Sequence, residues 1–292
     1  MKRLLSFLLA FALFLFQPNP DDTVVQKNML PEGSTFAVHF IDVGQADAAL
    51  VLCDGEAMLI DGGNAADSSL IYSYLKKLSV DHLKYIVCSH PHEDHVGGLA
   101  GALNYATVDH ALSPVTSYDS RAFNSFVKYL DEQGVPITIP SAGDIFSLGS
   151  ATVEVLGPIN FDVSDPNNLS LVLRVVYGTT SFLFTGDAER EEEQDILDAG
   201  YTLQGTVLKV GHHGSANSTT YPFLREVMPE YAVISVGTDN LYGHPTDDTL
   251  SRLRDADVKV YRTDTQGDVI CTSDGKIVSF TVERNDNINS AT

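Results

Sequence analysis

The densest group of titratable side chains in the sequence is the segment SHPHEDHVGG, residues 89–98. Within it, three histidines, a glutamate and an aspartate occupy six consecutive positions, 90–95. The apolar residues before it are typical of a β-strand. The cluster therefore follows the carboxyl end of a strand, where layered α/β folds commonly hold their sites. If the chain stays extended through Pro91, His90 and His92 point to the same side.

Asp94 and His95 stand where a helix is expected to begin, and we expect both side chains to turn in beside the two histidines before them. Imidazole and carboxylate groups gathered in this way are typical ligands of divalent metal ions. Without a cation, Asp94 and Glu93 would only modestly offset three crowded histidines. We therefore interpret the segment as a metal site and not as a polar surface loop in which histidines occur by chance.

Two later segments place similar side chains directly after apolar, strand-like stretches. FLFTGDAE places Asp187 at a turn, ahead of several glutamates that suit the positive end of a helix dipole. VLKVGHHGS contains His212 and His213, and YGHP contains His244. Six of the nine histidines thus lie at strand ends or in this last turn, which is a poor match to scattered core histidines.

The rest of the sequence must supply the elements that position these residues. Apolar strand-like segments are interspersed with helical ones such as residues 68–78, in which apolar side chains recur on one face of a helix. The strands fall into two groups, each accompanied by helices. This order predicts an α/β fold with two mixed sheets packed face to face and helices outside. No internal boundary divides residues 36–284, which we interpret as one domain.

The first residues differ from the rest in composition. Lys2 and Arg3 precede the apolar residues 4–16, and a polar break follows at 17–22. This is the pattern of an export signal, too short to span a bilayer comfortably. A buried N-terminal helix is disfavoured because the segment is apolar on every face.

We predict that residues 1–22 are a signal peptide or, because no small-x-small cleavage site follows, an N-terminal membrane anchor through residues 4–16. Residues 23–35 are then a linker and residues 285–292 a polar tail. The expected location is outside the cell or on the outer face of the cytoplasmic membrane.

Charge and cysteine content narrow the possible partners. The formal net charge is −21 and the pI about 4.5, so the surface repels nucleic acid and anionic lipid, and no basic nucleic-acid patch is visible. The three cysteines, Cys53, Cys88 and Cys271, are odd in number and lie in apolar strand-like segments. They predict buried spacers and not a disulfide framework.

Several motifs together resemble the metallo-β-lactamase superfamily and, within it, the extracellular hydrolase domain of ComEC-type DNA-uptake proteins. The matching segments are FIDVGQADAALV, LIDGG, SHPHEDHVGG, NNLSLVLRV, FTGDAE, LKVGHHGS and SVGTDNLYGHP. The His-x-His-x-Asp-His core is specific for the superfamily, and DVGQ, the double Asn and HHGS narrow the match. The resemblance covers residues 36–282 and implies a four-layer αββα sandwich.

The resemblance also implies two divalent metal ions, zinc or manganese. It assigns the ligands residue by residue, with the first metal on His90 and His92, the second on Asp94, His95 and His212, and Asp187 bridging both.

For the last ligand the resemblance prefers His212 over His213, because His212 follows Gly211 directly, where the last ligand of the family lies. His213 remains open as a neighbour of the ligands or as a residue that faces phosphate. Asp61 of LIDGG resembles the carboxylate that lies beneath the metals and orients a ligand histidine.

One departure concerns the first metal. Many superfamily members carry a further histidine before the TGD segment, whereas this region reads DVSDPNNLSLVL. Asn168, Asp165 or water would then complete the first site. ComEC-type domains share this absence, which supports the narrower resemblance. A site with more oxygen ligands also shifts the preference from zinc toward manganese, and both metals are kept.

The expected chemistry is hydrolysis of a phosphoester by a hydroxide shared between two metal ions. Asp187 or Asp94 would orient the hydroxide. His244 would stabilise the charge that develops on phosphate or protonate the leaving oxygen, unless it is only a turn histidine before Pro245. Ser215 and Asn217 would donate hydrogen bonds to the same group.

The resemblance implies a nuclease that acts on extracellular DNA. The acidic composition keeps a smaller phosphodiester as an alternative, such as a nucleotide, a cyclic dinucleotide or a phosphocholine ester of the cell envelope. A further alternative is a metal-binding accessory protein of an uptake complex without turnover. Hydrolysis of β-lactams is disfavoured by the missing histidine.

Overall fold

The computed structural model describes Gly33 and residues 35–284. The predicted signal or anchor, residues 1–22, and the tail, residues 285–292, lie outside the described residues, as does nearly all of the predicted linker. Within the described part of the chain, no helix has both the length and the apolar character needed to cross a membrane.

The first sheet has eight strands in the order β15-β14-β1-β2-β3-β4-β5-β6. The strands from β15 to β3 pair antiparallel, and those from β3 to β6 pair parallel. Their bounds are β1 Phe36–Phe40, β2 Ala49–Cys53, β3 Glu56–Ile60, β4 His82–Val87, β5 Thr107–Leu112, β6 Ile137–Thr138, β14 Val269–Ser273 and β15 Val278–Val282.

The second sheet has seven strands in the order β13-β12-β11-β10-β9-β8-β7. Here β10 to β13 pair parallel and β7 to β10 pair antiparallel. Their bounds are β7 Ile145–Leu148, β8 Ala151–Gly157, β9 Val172–Tyr177, β10 Thr180–Phe184, β11 Val207–Lys209, β12 Tyr231–Ile234 and β13 Lys259–Arg262.

Helices follow the strands and cover the outer faces of both sheets. The α-helices are α1 Ser68–Leu78, α2 Glu93–Val96, α3 Leu99–Leu103, α4 Arg121–Gln133, α5 Arg190–Ala199, α6 Tyr221–Val227, α7 Asp247–Asp255 and α8 Thr263–Gln266. Short 3-10 helices lie at Ala65–Asp67, Pro166–Leu169 and Gly211–Gly214. Helix α1 has the bounds that the apolar periodicity predicted.

Three apolar clusters define the layers. One lies between the sheets, where Val38 and Phe40 of the first sheet pack with Val175 and Phe182 of the second. A second cluster lies between the first sheet and α1 to α4, and a third between the second sheet and α5 to α7. Two mixed sheets with helices on both outer faces confirm the predicted αββα sandwich.

Close packing around the histidine cluster explains its two final glycines. A Cβ at Gly98 would collide with the carbonyl oxygen of Gly62, and one at Gly97 with the backbone of Ala65. The segment after β4 can therefore lie directly against the LIDGG turn after β3. The three cysteines are buried and free, as predicted.

Candidate metal site

Side chains that follow β4, β10 and β11 meet between the two sheets at the carboxyl ends of these strands. Asp94 and His95 come from α2, Asp187 from the turn after β10, and His213 from the 3-10 helix after β11. One ligand atom from each of the four residues lies within 4.8 Å of the others. The arrangement therefore joins side chains that are far apart in the sequence into one potential metal site.

The polar atoms at this point fit a cation. His95 Nε2, Asp187 Oδ1 and His213 Nε2 are buried, and none makes a hydrogen bond. Buried polar atoms in native proteins nearly always have partners. These atoms contact one another only as close opposite charges, with His95 Nε2 3.3 Å from Asp187 Oδ1, and they belong to residue types that bind divalent ions. The donor set thus fits the metal that the sequence predicted.

His90 and His92 lie beside this group. The ring nitrogens His90 Nε2 and His92 Nδ1 are 3.0 Å apart, and His90 is fully buried. Asp187 contacts both sets, with Oδ1 at 3.3 Å from His95 Nε2 and Oδ2 at 3.9 Å from His90 Nε2. The structure thus brings His90 and His92 together as the sequence predicted, with Asp187 between them and the four-residue group.

The two neighbouring histidines after β11 have different positions, and here the structure differs from the sequence preference for His212. Both adopt left-handed backbone conformations, and the planes of their rings lie at 72° to each other. His213 Nε2 lies 3.3 Å from Asp94 Oδ2, whereas the side chain of His212 is 23% exposed and its Nδ1 contacts Glu189 Oε1 at 3.0 Å. The group of potential ligands therefore contains His213 in place of His212, whose Nε2 still lies 3.6 Å from Asp187.

A buried carboxylate, that of Asp61, holds the ring of His95. Asp61 accepts hydrogen bonds from the backbone and hydroxyl of Ser89, both at 2.7 Å, and lies 2.9 Å from His95 Nδ1. This is the position the sequence predicted for Asp61. With a proton on Nδ1, the Nε2 lone pair of His95 faces Asp187. Such carboxylate–histidine pairs fix the ring and its tautomer in metal sites.

The carbonyl of Ser235 holds the ring of His213, and Asp47, a residue that the sequence analysis missed, adds a negative charge beside it. His213 Nδ1 lies 3.1 Å from the carbonyl oxygen of Ser235 and 3.2 Å from Asp47 Oδ1. The other Asp47 oxygen lies 2.5 Å from the buried ammonium of Lys209. The available signal was the DVGQAD motif, which matched the family but received no assigned role.

The protonation of the site depends on burial and on close opposite charges. Burial lowers the pKa of His213, but Asp187 and then Asp47 outweigh it and raise this pKa to about 10. The pKa of His95 is also raised against burial, first by Asp187. Burial, followed by the charge of His95, lowers the pKa of His90. Protons on His95 and His213 therefore balance the carboxylates, and a metal ion would take their place.

An open cleft of about 540 Å³ lies above these side chains. We call the buried ligands and the carboxylates beneath them the floor, and we call His212 with residues 237–244 the rim. The described residues that line the cleft are Gln45, Asn64, His92, Glu93, Asp94, Asn167, Asp187, His212, His213, Tyr242 and His244. The floor is thus accessible to a molecule that enters from solvent.

His244 lies at the rim with its ring 5.6 Å from that of His212. Burial, and then the charges of His212 and His213, lower the pKa of His244 to about 4. Its ring is therefore neutral at pH 7. In this form it can donate one N–H hydrogen bond, but it holds no spare proton for a leaving group.

The remaining predicted residues have different surroundings. Asn168 Oδ1 accepts a hydrogen bond from the backbone of Glu189 at 3.0 Å, so this amide oxygen is already engaged. Its neighbour Asn167 lines the cleft, and the buried Oδ1 of Asn167 makes no hydrogen bond. Ser215 and Asn217 do not line the cleft, and Ser215 Oγ accepts from the backbone of Asn217 at 3.3 Å.

Comparison with known protein families and curated proteins gives consistent matches. The family described as the metallo-beta-lactamase superfamily matches residues 41–238. The chain is 29% identical over 263 residues to ComE operon protein 3 of Bacillus subtilis, covering 84% of this chain and 34% of that protein. It is 32% identical over 240 residues to competence protein ComA of Neisseria gonorrhoeae, covering 82% and 32%. The chain spans about a third of the length of these relatives.

Solved structures with little sequence identity share the fold. YhfI, a metallo-beta-lactamase fold protein of Bacillus subtilis, matches with a TM-score of 0.52 at 13% identity, over 84% of this chain and 100% of that chain. Igni18, a metallo hydrolase of Ignicoccus hospitalis, matches with a TM-score of 0.50 at 16% identity, over 81% and 98%. These two likenesses concern the fold alone.

Proposed function

The chain belongs to the metallo-β-lactamase superfamily, and from this premise we propose that it is an exported, metal-dependent phosphodiesterase that acts on DNA. The predicted resemblance to ComEC-type competence proteins is confirmed by relatives named ComE operon protein 3 and competence protein ComA. Hydrolysis of a phosphodiester, DNA as substrate and export are the parts that we add.

One observation carries the proposal. Buried atoms of His95, Asp187 and His213 that make no hydrogen bond converge at the floor of a cleft that is open to solvent. A purely structural metal site is closed by its protein ligands, whereas a catalytic site keeps a position open to substrate. The open cleft therefore favours catalysis over a stabilising metal or a metal-binding accessory role.

The residues present define which metals fit and what they supply. His90 and His92 would hold one ion, Asp94, His95 and His213 another, and Asp187 lies between them. Four imidazoles with two carboxylates suit zinc and also manganese. When bound, two divalent ions activate a water molecule and neutralise charge on a phosphate group.

The protein supplies orientation at the floor. Asp61 holds the ring of His95, and Ser235 holds that of His213, so that each Nε2 faces the ligand position. Asp187 is 2% exposed, and burial alone would raise its pKa, but the charges of His95 and His213 outweigh burial and lower this pKa, which keeps Asp187 anionic. This preorganisation means that little has to move when a substrate phosphate arrives.

The rim supplies contacts for the phosphate. Glu189 holds the ring of His212 through Nδ1 at 3.0 Å, which leaves Nε2 toward the cleft. The neutral ring of His244 lies next to it. We assign His244 as a hydrogen-bond donor to a phosphate oxygen or to the leaving oxygen. His212 would donate from Nε2 only with a proton on each ring nitrogen, because its Nδ1–H is directed at Glu189. Of the two roles predicted for His244, stabilisation of charge by a hydrogen bond is therefore preferred. Protonation of the leaving oxygen would need an imidazolium, which does not match the low pKa of His244.

DNA is favoured as substrate because one relative is named competence protein ComA and another is named Recombination protein 2 of Haemophilus influenzae. A smaller phosphodiester is the second candidate, and a specific observation supports it. Among the described residues that line the cleft, none is Lys or Arg, and the net charge of the chain is −21. Neutralisation of several DNA phosphates by cations is therefore not part of this cleft.

Release of nitrophenol from bis(p-nitrophenyl) phosphate tests the chemistry. The purified protein is assayed after chelation and again after addition of Mn²⁺ or Zn²⁺, beside Asp94→Ala and Asp187→Ala, with labelled DNA in parallel. We expect turnover that metal restores and that both variants lose. Folded, metal-loaded protein without turnover would contradict the phosphodiesterase and favour the accessory role. Turnover of the small ester without DNA cleavage would favour the second candidate.

A further inference from the structure

The rim carries two large apolar side chains that face solvent next to the cleft. Leu241 is 100% exposed and Tyr242 is 72% exposed, and Tyr242 lines the cleft. Exposed aromatic rings at the mouth of a site commonly bind a flat or apolar part of a ligand. Tyr242 therefore presents a largely exposed aromatic ring beside the floor of the cleft.

The backbone beneath this ring is held in place by one side chain. Asn240 Nδ2 donates to the carbonyl oxygens of Gly237 at 3.0 Å and His244 at 2.6 Å. Its Oδ1 accepts from the backbone N–H groups of Tyr242 at 3.2 Å and His244 at 3.0 Å. Gln45, in the loop between β1 and β2, also accepts from Gly237 N at 3.1 Å, which ties the two loops together beside the cleft. Tyr242 thus projects from an ordered turn.

The rings form a continuous row from solvent to the floor. Tyr242 stacks on His244 with centroids 5.7 Å apart and planes inclined by 26°. The ring of His244 then meets His212 edge on, and His212 Nε2 lies 3.6 Å from Asp187. A planar group that stacks on Tyr242 would therefore extend a row that ends at the metal ligands.

The charge of the cleft shows what kind of contact is needed. With no Lys or Arg among the described lining residues, a phosphodiester strand gains little from cationic side chains. Stacking of bases on aromatic side chains adds affinity whatever the charge and tolerates every base sequence. An unpaired base is free to stack, whereas a paired base must first leave its duplex.

We propose that Tyr242, backed by His244, is a stacking platform for the base next to the scissile phosphate, so that the site takes unpaired nucleic acid strands. The proposal rests on the proposed phosphodiesterase activity and names the form of its substrate. Tyr242 binds the substrate and takes no part in the chemical step. Its removal therefore affects KM and leaves kcat nearly unchanged.

The test compares oligothymidylate with an oligonucleotide of the same length that carries abasic residues, using the full chain loaded with Mn²⁺. We expect Tyr242→Ala to raise KM for oligothymidylate about tenfold and to change kcat less than about twofold. Tyr242→Phe retains the ring and should restore the KM. Ile277→Ala, at an exposed apolar position between β14 and β15 that does not line the cleft, is the matched control and should leave both constants unchanged. Blunt duplex of the same length should be cleaved more slowly than the single strand.

The abasic strand separates the failure of the platform from the failure of the proposed function. With the unsubstituted protein, the KM for the abasic strand should already exceed the KM for oligothymidylate, and Tyr242→Ala should not raise it further. An equal effect of Tyr242→Ala on both strands, or no effect on either, would overturn the platform while the phosphodiesterase stands. Tyr faces also bind quaternary ammonium groups. Turnover of glycerophosphocholine that depends on Tyr242, without an effect on oligothymidylate, would overturn the nucleobase assignment. No turnover of any strand would overturn the function and the platform together.

Discussion

Asp61 and Asp47 at the floor are 2% and 4% exposed, and each contacts at least two fixed partners, whereas Tyr242 at the rim is 72% exposed. The floor is built from charged groups in the interior, whose burial is unfavourable unless they pair with one another or with a metal. The rim is held by backbone hydrogen bonds to Asn240 and leaves its rings open to solvent. Under the proposed function, the buried floor would hold the metal and the exposed rim would contact the substrate.

His212 and His213 are neighbours in the chain, yet one belongs to the rim and the other to the floor. His213 is 2% exposed and its Nδ1 is held by Ser235, whereas His212 is partly exposed and held by Glu189. Adjacent substitutions of the same residue type therefore separate metal binding from substrate binding.

Removal of the Asp187 carboxylate should have the largest effect. Asp187→Asn keeps the shape of the side chain but loses the charge between the two histidine sets. We expect turnover to fall by roughly 1000-fold or more, because the residues of a catalytic unit act together. Metal-induced stabilisation in thermal unfolding should disappear as well. Asp198→Asn, an exposed position on α5, is the control and should change neither quantity. Normal turnover in Asp187→Asn would contradict the bridging position.

The pair of histidines gives the sharpest separation between floor and rim. His213→Ala should weaken metal binding by more than about 100-fold. Loss of a residue that only supports a ligand costs roughly 10–100-fold, and this variant removes a predicted ligand itself. His212→Ala should leave metal affinity within about threefold and reduce turnover instead. Competition with a chelating dye measures the affinities, and bis(p-nitrophenyl) phosphate measures the turnover. The reverse pattern would restore the sequence preference for His212.

Asp47→Asn tests the support beneath the floor. The substitution leaves Lys209 buried without its counter-charge, so we expect a loss of about 3–5 kcal/mol in the free energy of unfolding of the metal-free protein. It should also weaken metal binding by roughly 10–100-fold through His213. Urea unfolding and dye competition measure the two effects. Replacement of both residues, Asp47→Asn with Lys209→Met, should recover part of the stability, and an unchanged double variant would argue against the pair.

The pH dependence of metal binding tests the charges of the floor. The folded, metal-free protein holds protons on His95 and His213, because the carboxylates raise both pKa values, that of His213 to about 10. Between pH 6 and 8 these protons must leave as the metal binds. Affinity should therefore rise with pH, roughly tenfold per pH unit for each proton released. Affinity that does not change over this range would show that the histidines are already neutral without metal.

His244 should give the smallest effect of these tests. Its pKa is lowered to about 4 by burial and then by His212, so its charge does not change between pH 6 and 8. His244→Gln should reduce kcat about tenfold, the loss of a hydrogen-bond donor, without a change in the shape of the pH profile in this range. A limb of the profile near pH 6.5 that disappears in the variant would instead indicate a titrating acid.

The sequence predicted those parts of the site that are local in the chain. The spacing of His90 to His95 after an apolar strand determines which side chains share a side, so periodicity and strand ends were enough to find them. Helix α1 and the two-sheet architecture were predicted for the same reason, because apolar patterns record which faces are buried.

Other parts of the site depend on the local backbone conformation or on contacts between residues far apart in the chain, and the sequence pattern does not predict these. His212 and His213 both have a left-handed backbone, with φ of 48° and 52°. No spacing rule predicts such a turn, so the sequence does not specify which of the two side chains points inward. The Asp47–Lys209 pair joins a turn of the first sheet to a strand of the second, so only the packed structure reveals it. The sequence also does not show which of the two neighbouring asparagines faces the cleft. Only the structure shows that the amide oxygen of Asn168 is engaged by the backbone of Glu189 and that Asn167 lines the cleft.

The most direct test of the central claim is the position of the metal. Crystals of the protein grown with Mn²⁺ would be measured for anomalous diffraction near the manganese edge. We predict one peak within about 2.0–2.3 Å of ligand atoms of Asp94, His95, Asp187 and His213, and a second beside His90 and His92. No peak at the floor of the cleft, or a peak bound by His212 in place of His213, would contradict the account.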